Sequence, residues 1–221
     1  ARLFDYGFDT IIGQENEPVR CLQKLSADKA FTTPKGEKVY DFGQNLTGWV
    51  EVEIYGEPGQ QLTLRHAESL DENGNFYTEN LSWAKATDTY ILGGGKQILH
   101  PHFTWHGFRY LCVEGLQYGQ NVQFTACHLS TDLQQTGSFT CSDKRVNRLQ
   151  QNIQWSQRDN FLDIPTDCPQ RDERLGWCGD AQVFAKTAAI NFDVERFFEK
   201  WLADLALEQR HDGAVPSIVP S

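Results

Sequence analysis

Two periodicities divide the chain near residue 135. Upstream, apolar positions recur every second residue between Gly, Pro and Asn breaks. In Trp49 to Tyr55, Val50, Val52 and Ile54 fall on one face and Glu51 and Glu53 on the other, which predicts a half-buried strand. Glu57-Pro58-Gly59 predicts a turn, because proline presets φ and glycine tolerates positive φ. Alternation resumes from Gln61 to Glu68 through Leu62 and Leu64, and 71–75 (DENGN) predicts a loop. Thr89 to Leu92, Phe108 to Val113 and Val122 to His128 are further short strands, and Gly93-Gly94-Gly95 closes the first of them. Short strands at regular turns predict an antiparallel β-sandwich.

Beyond 135 the period becomes helical. Ser142-Asp143 can cap a helix through Val146, Leu149 and Ile153. Asp180 to Ile190 is apolar nearly all round, which predicts a buried helix. Asp193 can cap a third helix, whose stripe is Val194, Phe197, Phe198, Trp201, Leu202 and Leu205, with Gly213 as terminator. Three helices of unequal burial make a poor closed bundle. The expectation is a β-sandwich domain over 1–136, followed over 137–221 by the start of a truncated helical domain.

Composition narrows the partners. Acidic residues outnumber basic ones 30 to 20, a net charge of −10, which argues against nucleic acid and anionic membranes. No apolar run reaches the ~18–20 residues of a membrane helix, and the N-terminal ARLFDYGFDT lacks the pattern of a secretion signal. The expected location is cytoplasmic. Cys21, Cys112, Cys127, Cys141, Cys168 and Cys178 contain no CxxC and predict reduced, buried thiols. Asn45-Leu46-Thr47 and Asn80-Leu81-Ser82 fit a glycosylation pattern short enough to arise by chance. No cofactor and no metal are expected. His100-Pro101-His102 with His106 suits strand ends better than a metal site, and Cys168 with Cys178 lacks two further ligands. Trp49, Trp83 and Trp105 could form a sugar-stacking platform, although core packing is the commoner use of such residues.

The chemistry concentrates in 161–180, between the first two helices. This stretch holds five carboxylates, two arginines and a tryptophan, and Pro165 and Pro169 keep much of it from being helical. One use is a carbohydrate pocket, in which carboxylates grip hydroxyls, an indole stacks on a sugar face and one drier carboxyl keeps its proton. The other use is a salt-bridged loop, with Asp180 as a helix cap and Trp177 as core. Composition alone leaves both open.

The run Asp167-Cys168-Pro169-Gln170-Arg171-Asp172-Glu173-Arg174-Leu175-Gly176-Trp177, then Gly179-Asp180-Ala181-Gln182, resembles the signature of bacterial α-L-rhamnosidases, glycoside hydrolase family 78. Residues 160–166, the tail Asp212-Gly213-Ala214-Val215-Pro216, and upstream 39–45 and 106–110 are similar to the same family. The resemblance implies an (α/α)6 barrel after the β domain and inverting hydrolysis of terminal α-L-rhamnose from a rhamnose-containing glycoside. It implies Glu173 as general acid, Asp167, Asp180 and Trp177 at the rhamnose subsite, and weaker supporting roles for Arg171 and Asp172. Asp163 and Asp172 compete with Glu173 on chemistry alone. The family's general base lies in a part not present here, so the piece alone is expected to hydrolyse little. A carbohydrate-binding β module with a helical appendage, or another (α/α)6 glycosidase, are the alternatives.

Overall fold

The computed structural model describes residues 11–221, so the N-terminal ARLFDYGFDT, which lacks the pattern of a secretion signal, lies outside the described residues. The β unit comprises β1 (Val19–Ser26), β2 (Lys29–Thr32), β3 (Lys38–Gly56), β4 (Gln61–Ala67), β5 (Ser69–Leu70), β6 (Phe76–Tyr77), β7 (Thr87–Ile91), β8 (Gly95–Leu99), β9 (His106–Glu114) and β10 (Val122–Thr131). After it come α1 (Lys144–Asn160), the two-residue strands β11 (Phe161–Leu162) and β12 (Ile164–Pro165), α2 (Cys178–Asn191) and α3 (Glu195–Glu208).

Every strand pairing is antiparallel. The two layers are not separate sheets. One eight-stranded sheet runs β1-β10-β3-β9-β4-β7, with β2 and β8 also on β3, and curls into a half-barrel. The 19-residue β3 makes this continuity by changing neighbours along its length. Its first part pairs with β2 and β9, and its last part with β10 and β8. The exchange falls at Gly48, where a Cβ would sit 1.8 Å from the Cys127 carbonyl oxygen, so only glycine lets the two backbones approach. The predicted alternation survives. Val50, Val52, Ile54, Leu62 and Leu64 point inward and meet Phe108, Leu111, Val113, Phe124 and Ala126 in one core.

Asp41 explains two of the sequence fragments at once. Its Oδ1 accepts the Gly43 N–H at 2.8 Å, and its carboxylate takes a two-pronged bond from Arg109, Nε to Oδ1 at 2.7 Å and Nη2 to Oδ2 at 2.8 Å. Burial would raise the Asp41 pKa, but the Arg109 fork and the Gly43 N–H outweigh it and hold the carboxyl below the usual range.

The helices differ from expectation in instructive ways. Asp143 caps α1 as predicted, through the Arg145 N–H. The predicted buried helix is α2, but Val183 is 85% exposed and Ile190 64% exposed; only Ala181, Ala188 and Asn191 are buried. Its apolar surface exceeds what α1 and α3 can cover. The residue at the start of α3 is Val194, with Asp193 one position earlier and its carboxylate 3.3 Å from the Glu195 nitrogen. Phe197 and Trp201 are buried on the predicted stripe, while Leu202 faces solvent. Gly213 does not terminate α3, which ends five residues sooner; it closes a separate turn with Arg210. All six cysteines are free, but only Cys112 and Cys127 are buried and Cys21 is exposed, because burial follows strand facing rather than residue type. Among the described residues no helix is long and apolar enough to cross a membrane.

Candidate functional site

The acid-rich loop starts where α1 ends. Thr166 returns both its N–H and its hydroxyl to the Asn160 carbonyl, each at 2.8 Å, and folds the β11–β12 hairpin back. Asp167 then closes the loop on itself. Its N–H reaches the Leu175 carbonyl at 3.2 Å, and its Oδ1 accepts the Leu175 N–H at 3.1 Å. Seven residues between these points are held as a lobe.

The β unit clamps that lobe at three places. The Arg174 guanidinium lies 4.5 Å over the Trp105 ring and donates to the Trp105 carbonyl. Asp172 Oδ1 accepts the Trp83 N–H at 3.3 Å. Gly107 of β9 lies so close that a Cβ there would meet Gln170 at 2.9 Å. From the far side the tail 217–219 closes on the loop. The Val219 N–H donates to the Gly176 carbonyl at 2.9 Å, and Trp177 bridges Ile218.

This framework separates the candidate carboxylates. Glu173 pairs with Arg171, and a Glu173 oxygen lies within 4.8 Å of an Asp167 oxygen and of the Cys168 sulfur. Asp167 and Asp180 line a hollow of about 460 Å³, together with Ser156, Asn160, Pro165 and Phe184. Asp180 is exposed in the first turn of α2 and does not cap it; the capping position is Trp177, which makes no side-chain cap bond. Trp177 is half-buried, and its indole N–H has no partner among the described residues. The lining of the hollow does not include Glu173, Arg171, Asp172 or Trp177.

The two competitors of Glu173 are otherwise engaged. Asp163, at a left-handed φ of 67°, accepts from Asn16 at 3.1 Å and faces Lys200. Asp172 binds the Trp83 backbone, and its carboxyl is held below the usual range by backbone N–H groups, outweighing desolvation. Asp167, Cys168 and Glu173 make a poor metal site, because burial and the neighbouring Asp167 push the Cys168 thiol up and Arg171 already occupies the cluster.

Glu68 stands outside the acidic run, and no motif marks it in the sequence. Its carboxylate accepts from Asn45 at 2.9 Å and Asn80 at 3.3 Å, and burial raises its pKa. It faces a polar cleft of about 470 Å³ between the β unit and α1, shared with Arg109, Arg148, Trp155 and Pro169. Both asparagines of the glycosylation-like triplets are therefore in use as donors. Of the three tryptophans, Trp49 stacks on His100, Trp105 lies under Arg174, and Trp83 is 88% exposed, so core packing fails for Trp83.

A curled antiparallel β unit is followed by helices, and the acidic loop between α1 and α2 is clamped against it. Residues 31–130 match the bacterial alpha-L-rhamnosidase concanavalin-like domain, and residues 134–221 match the bacterial alpha-L-rhamnosidase 6 hairpin glycosidase domain. The chain belongs to the bacterial α-L-rhamnosidase family. It is 43% identical to an alpha-L-rhamnosidase of Streptomyces avermitilis over 96% of this chain and 21% of that protein, and 40% identical to one of Formosa agariphila over 82% and 20%. It superposes with a TM-score of 0.91 on the Streptomyces avermitilis alpha-L-rhamnosidase complexed with L-rhamnose, at 44% identity over 96% of this chain and 21% of that one. On native rhamnosidase from Aspergillus terreus the TM-score is 0.92, at 38% identity over 99% and 26%. The chain spans about a fifth of the length of the curated relatives it matches.

Proposed function

We propose that the protein carrying this chain hydrolyses terminal α-L-rhamnose from rhamnosides with inversion, and that Glu173 is the general acid. The observation that carries this is the grouping of Glu173, Arg171 and Asp167 beside a hollow walled by Asp167 and Asp180. Asp167 does not serve as the base. An inverting pair stands roughly 6.5–9.5 Å apart to admit water, and the Asp167 and Glu173 oxygens come within 4.8 Å. Asp167 instead sets the electrostatics of the acid and, with Asp180 and Trp177, binds the sugar. Arg171 orients Glu173, and Asp172 anchors the loop to the β unit. The base and the rest of an (α/α)6 barrel belong to a longer protein, so the 221 residues alone turn over little substrate.

The test is rhamnose release by the full-length protein from aryl rhamnosides, with NMR identification of the first-formed anomer. Glu173→Gln should lower turnover by about 10²–10⁴-fold on poor leaving groups, the usual contribution of general acid catalysis, and by much less on acidic ones. An unchanged rate on poor leaving groups removes Glu173 from the role. Preferential cleavage of glucosides removes the substrate assignment.

A further inference from the structure

Behind the motif loop the β unit holds a second cluster, formed by His66 of β4, Asp88 of β7 and His106 of β9. His66 is fully buried, and the side chains of Asp88 and His106 are each less than a tenth exposed. The imidazoles stack with centroids 4.1 Å apart, and both direct Nε2 at one carboxylate. His106 Nε2 lies 3.0 Å from Asp88 Oδ1, and His66 Nε2 lies 4.0 Å from Asp88 Oδ2.

The protonation of His66 follows from its other nitrogen. His66 Nδ1 is 3.1 Å from the Ala86 carbonyl oxygen, which can only accept, so Nδ1 carries the ring proton and Nε2 a lone pair. That lone pair faces Asp88 Oδ2, a second acceptor. Neither atom has a hydrogen-bond partner among the described residues. Two buried acceptors facing each other call for a cation or a donor between them. At 4.0 Å the two atoms are too far apart for a direct hydrogen bond, so a proton on Nε2 would not pair them.

We propose that His66, Asp88 and His106 form a binding site for one divalent transition-metal ion, with zinc the best match to two imidazoles and a carboxylate. Tetrahedral zinc bonds of about 2.0–2.2 Å set two donor atoms about 3.4 Å apart, so the 4.0 Å gap closes by roughly half an ångström when the ion binds. His106 Nε2, now 3.0 Å from Asp88 Oδ1, becomes a ligand once its ring proton moves to Nδ1. The Ala86 carbonyl is the outer-shell partner that fixes the ligand tautomer. It accepts from both the His66 backbone N–H, at 2.9 Å, and the His66 ring, and Ala86 is held at a left-handed φ of 44° to do so. A polar cavity of about 260 Å³, lined by Asp88, His106, Gln170, Asp172 and Arg174, gives the ion access and room for a water ligand. The ion would stiffen the strands against which the motif loop leans.

The experiment is calorimetric titration of the chelator-treated full-length protein with zinc chloride. The expected result is a zinc equivalent that Asp88→Asn weakens by more than the about 10–100-fold typical of outer-shell changes, and that Cys168→Ser leaves in place. Absence of that equivalent, its insensitivity to Asp88→Asn, or its loss in Cys168→Ser overturns the proposal. If Asp88→Asn does not fold, a zinc-soaked crystal decides. An anomalous peak at bonding distance from His66 Nε2 supports the site, and a bridging water there alone refutes it.

Discussion

Gly107→Ala tests whether the β unit sets the position of the acid-bearing loop. Gly107 lies on β9, and a Cβ added there would stand 2.9 Å from the Gln170 nitrogen and Cβ and 3.0 Å from its Cα. Two of these three are backbone atoms, so no side-chain rotation relieves the clash. Ordinary contact begins near 3.4 Å, so β9 and the loop must part by about 0.5 Å. Overpacking of this kind costs about 1–3 kcal/mol. At about 2–4 °C per kcal/mol for a chain of this size, thermal unfolding should shift down by about 2–12 °C. Glu173 is three residues past Gln170, inside the segment closed by Asp167 and Leu175. A 1 Å misplacement of a catalytic group can cost about 10²-fold, so in the full-length protein half that displacement of the proposed acid should lower rhamnoside turnover about tenfold. Unfolding followed by circular dichroism reads the first effect, and initial rates on an aryl rhamnoside with a poor leaving group read the second. A melting temperature within about 1 °C of the parent, with unchanged turnover, would refute the idea that the loop rests on β9.

Gly179→Ala is the opposite case: its Cβ meets nothing within 4 Å and the position is helical, so unfolding should rise by the equivalent of about 0.5–1 kcal/mol. Asp159→Ala should cost about 1–3 kcal/mol in chemical denaturation, because it removes the Oδ1 that accepts the buried Thr47 N–H at 3.0 Å; a loss below about 0.5 kcal/mol would contradict that role. Asp41 has a lowered folded pKa, so it adds stability above its unfolded value near 3.9 that disappears as pH falls through the folded one. A melting-temperature profile against pH should therefore flatten on its acid limb in Asp41→Asn, and a limb as steep as the parent's would assign the acid sensitivity to other groups.

What was legible in the sequence depended on the range of the interaction behind it. Alternation named the inward residues of β3 and β4, because strand facing is a local consequence of the pleat. The Asp143 cap was visible for the same reason. The curl of the sheet was not, since it depends on Gly48 meeting Cys127 across 79 positions. The exposure of α2 was missed because apolar composition reports what a helix can bury, and its neighbours decide what it does bury. The acidic loop stood out as a run of charge. Composition could not say which carboxylate is free, because Asp163 is engaged by Asn16 and Lys200, and Asp172 by Trp83.

The same limit applies to two groups that no local pattern marks. Glu68 gains its setting from Asn45 and Asn80, and His66 gains its own from Asp88 and His106, all on different strands or loops. Neither set has a spacing that marks it. Both lie on the face of the β unit that meets the helical part, where Thr47 bonds Asp159 and Trp105 bonds Arg174. A scaffold that only covered the helices could meet them with apolar side chains. This one meets them with glycine, backbone carbonyls and buried charges, which fix orientation as well as contact. The half-barrel is therefore part of the machinery that holds Glu173 and Asp167 in register. Substitutions on β9 should alter turnover as directly as substitutions in the loop itself.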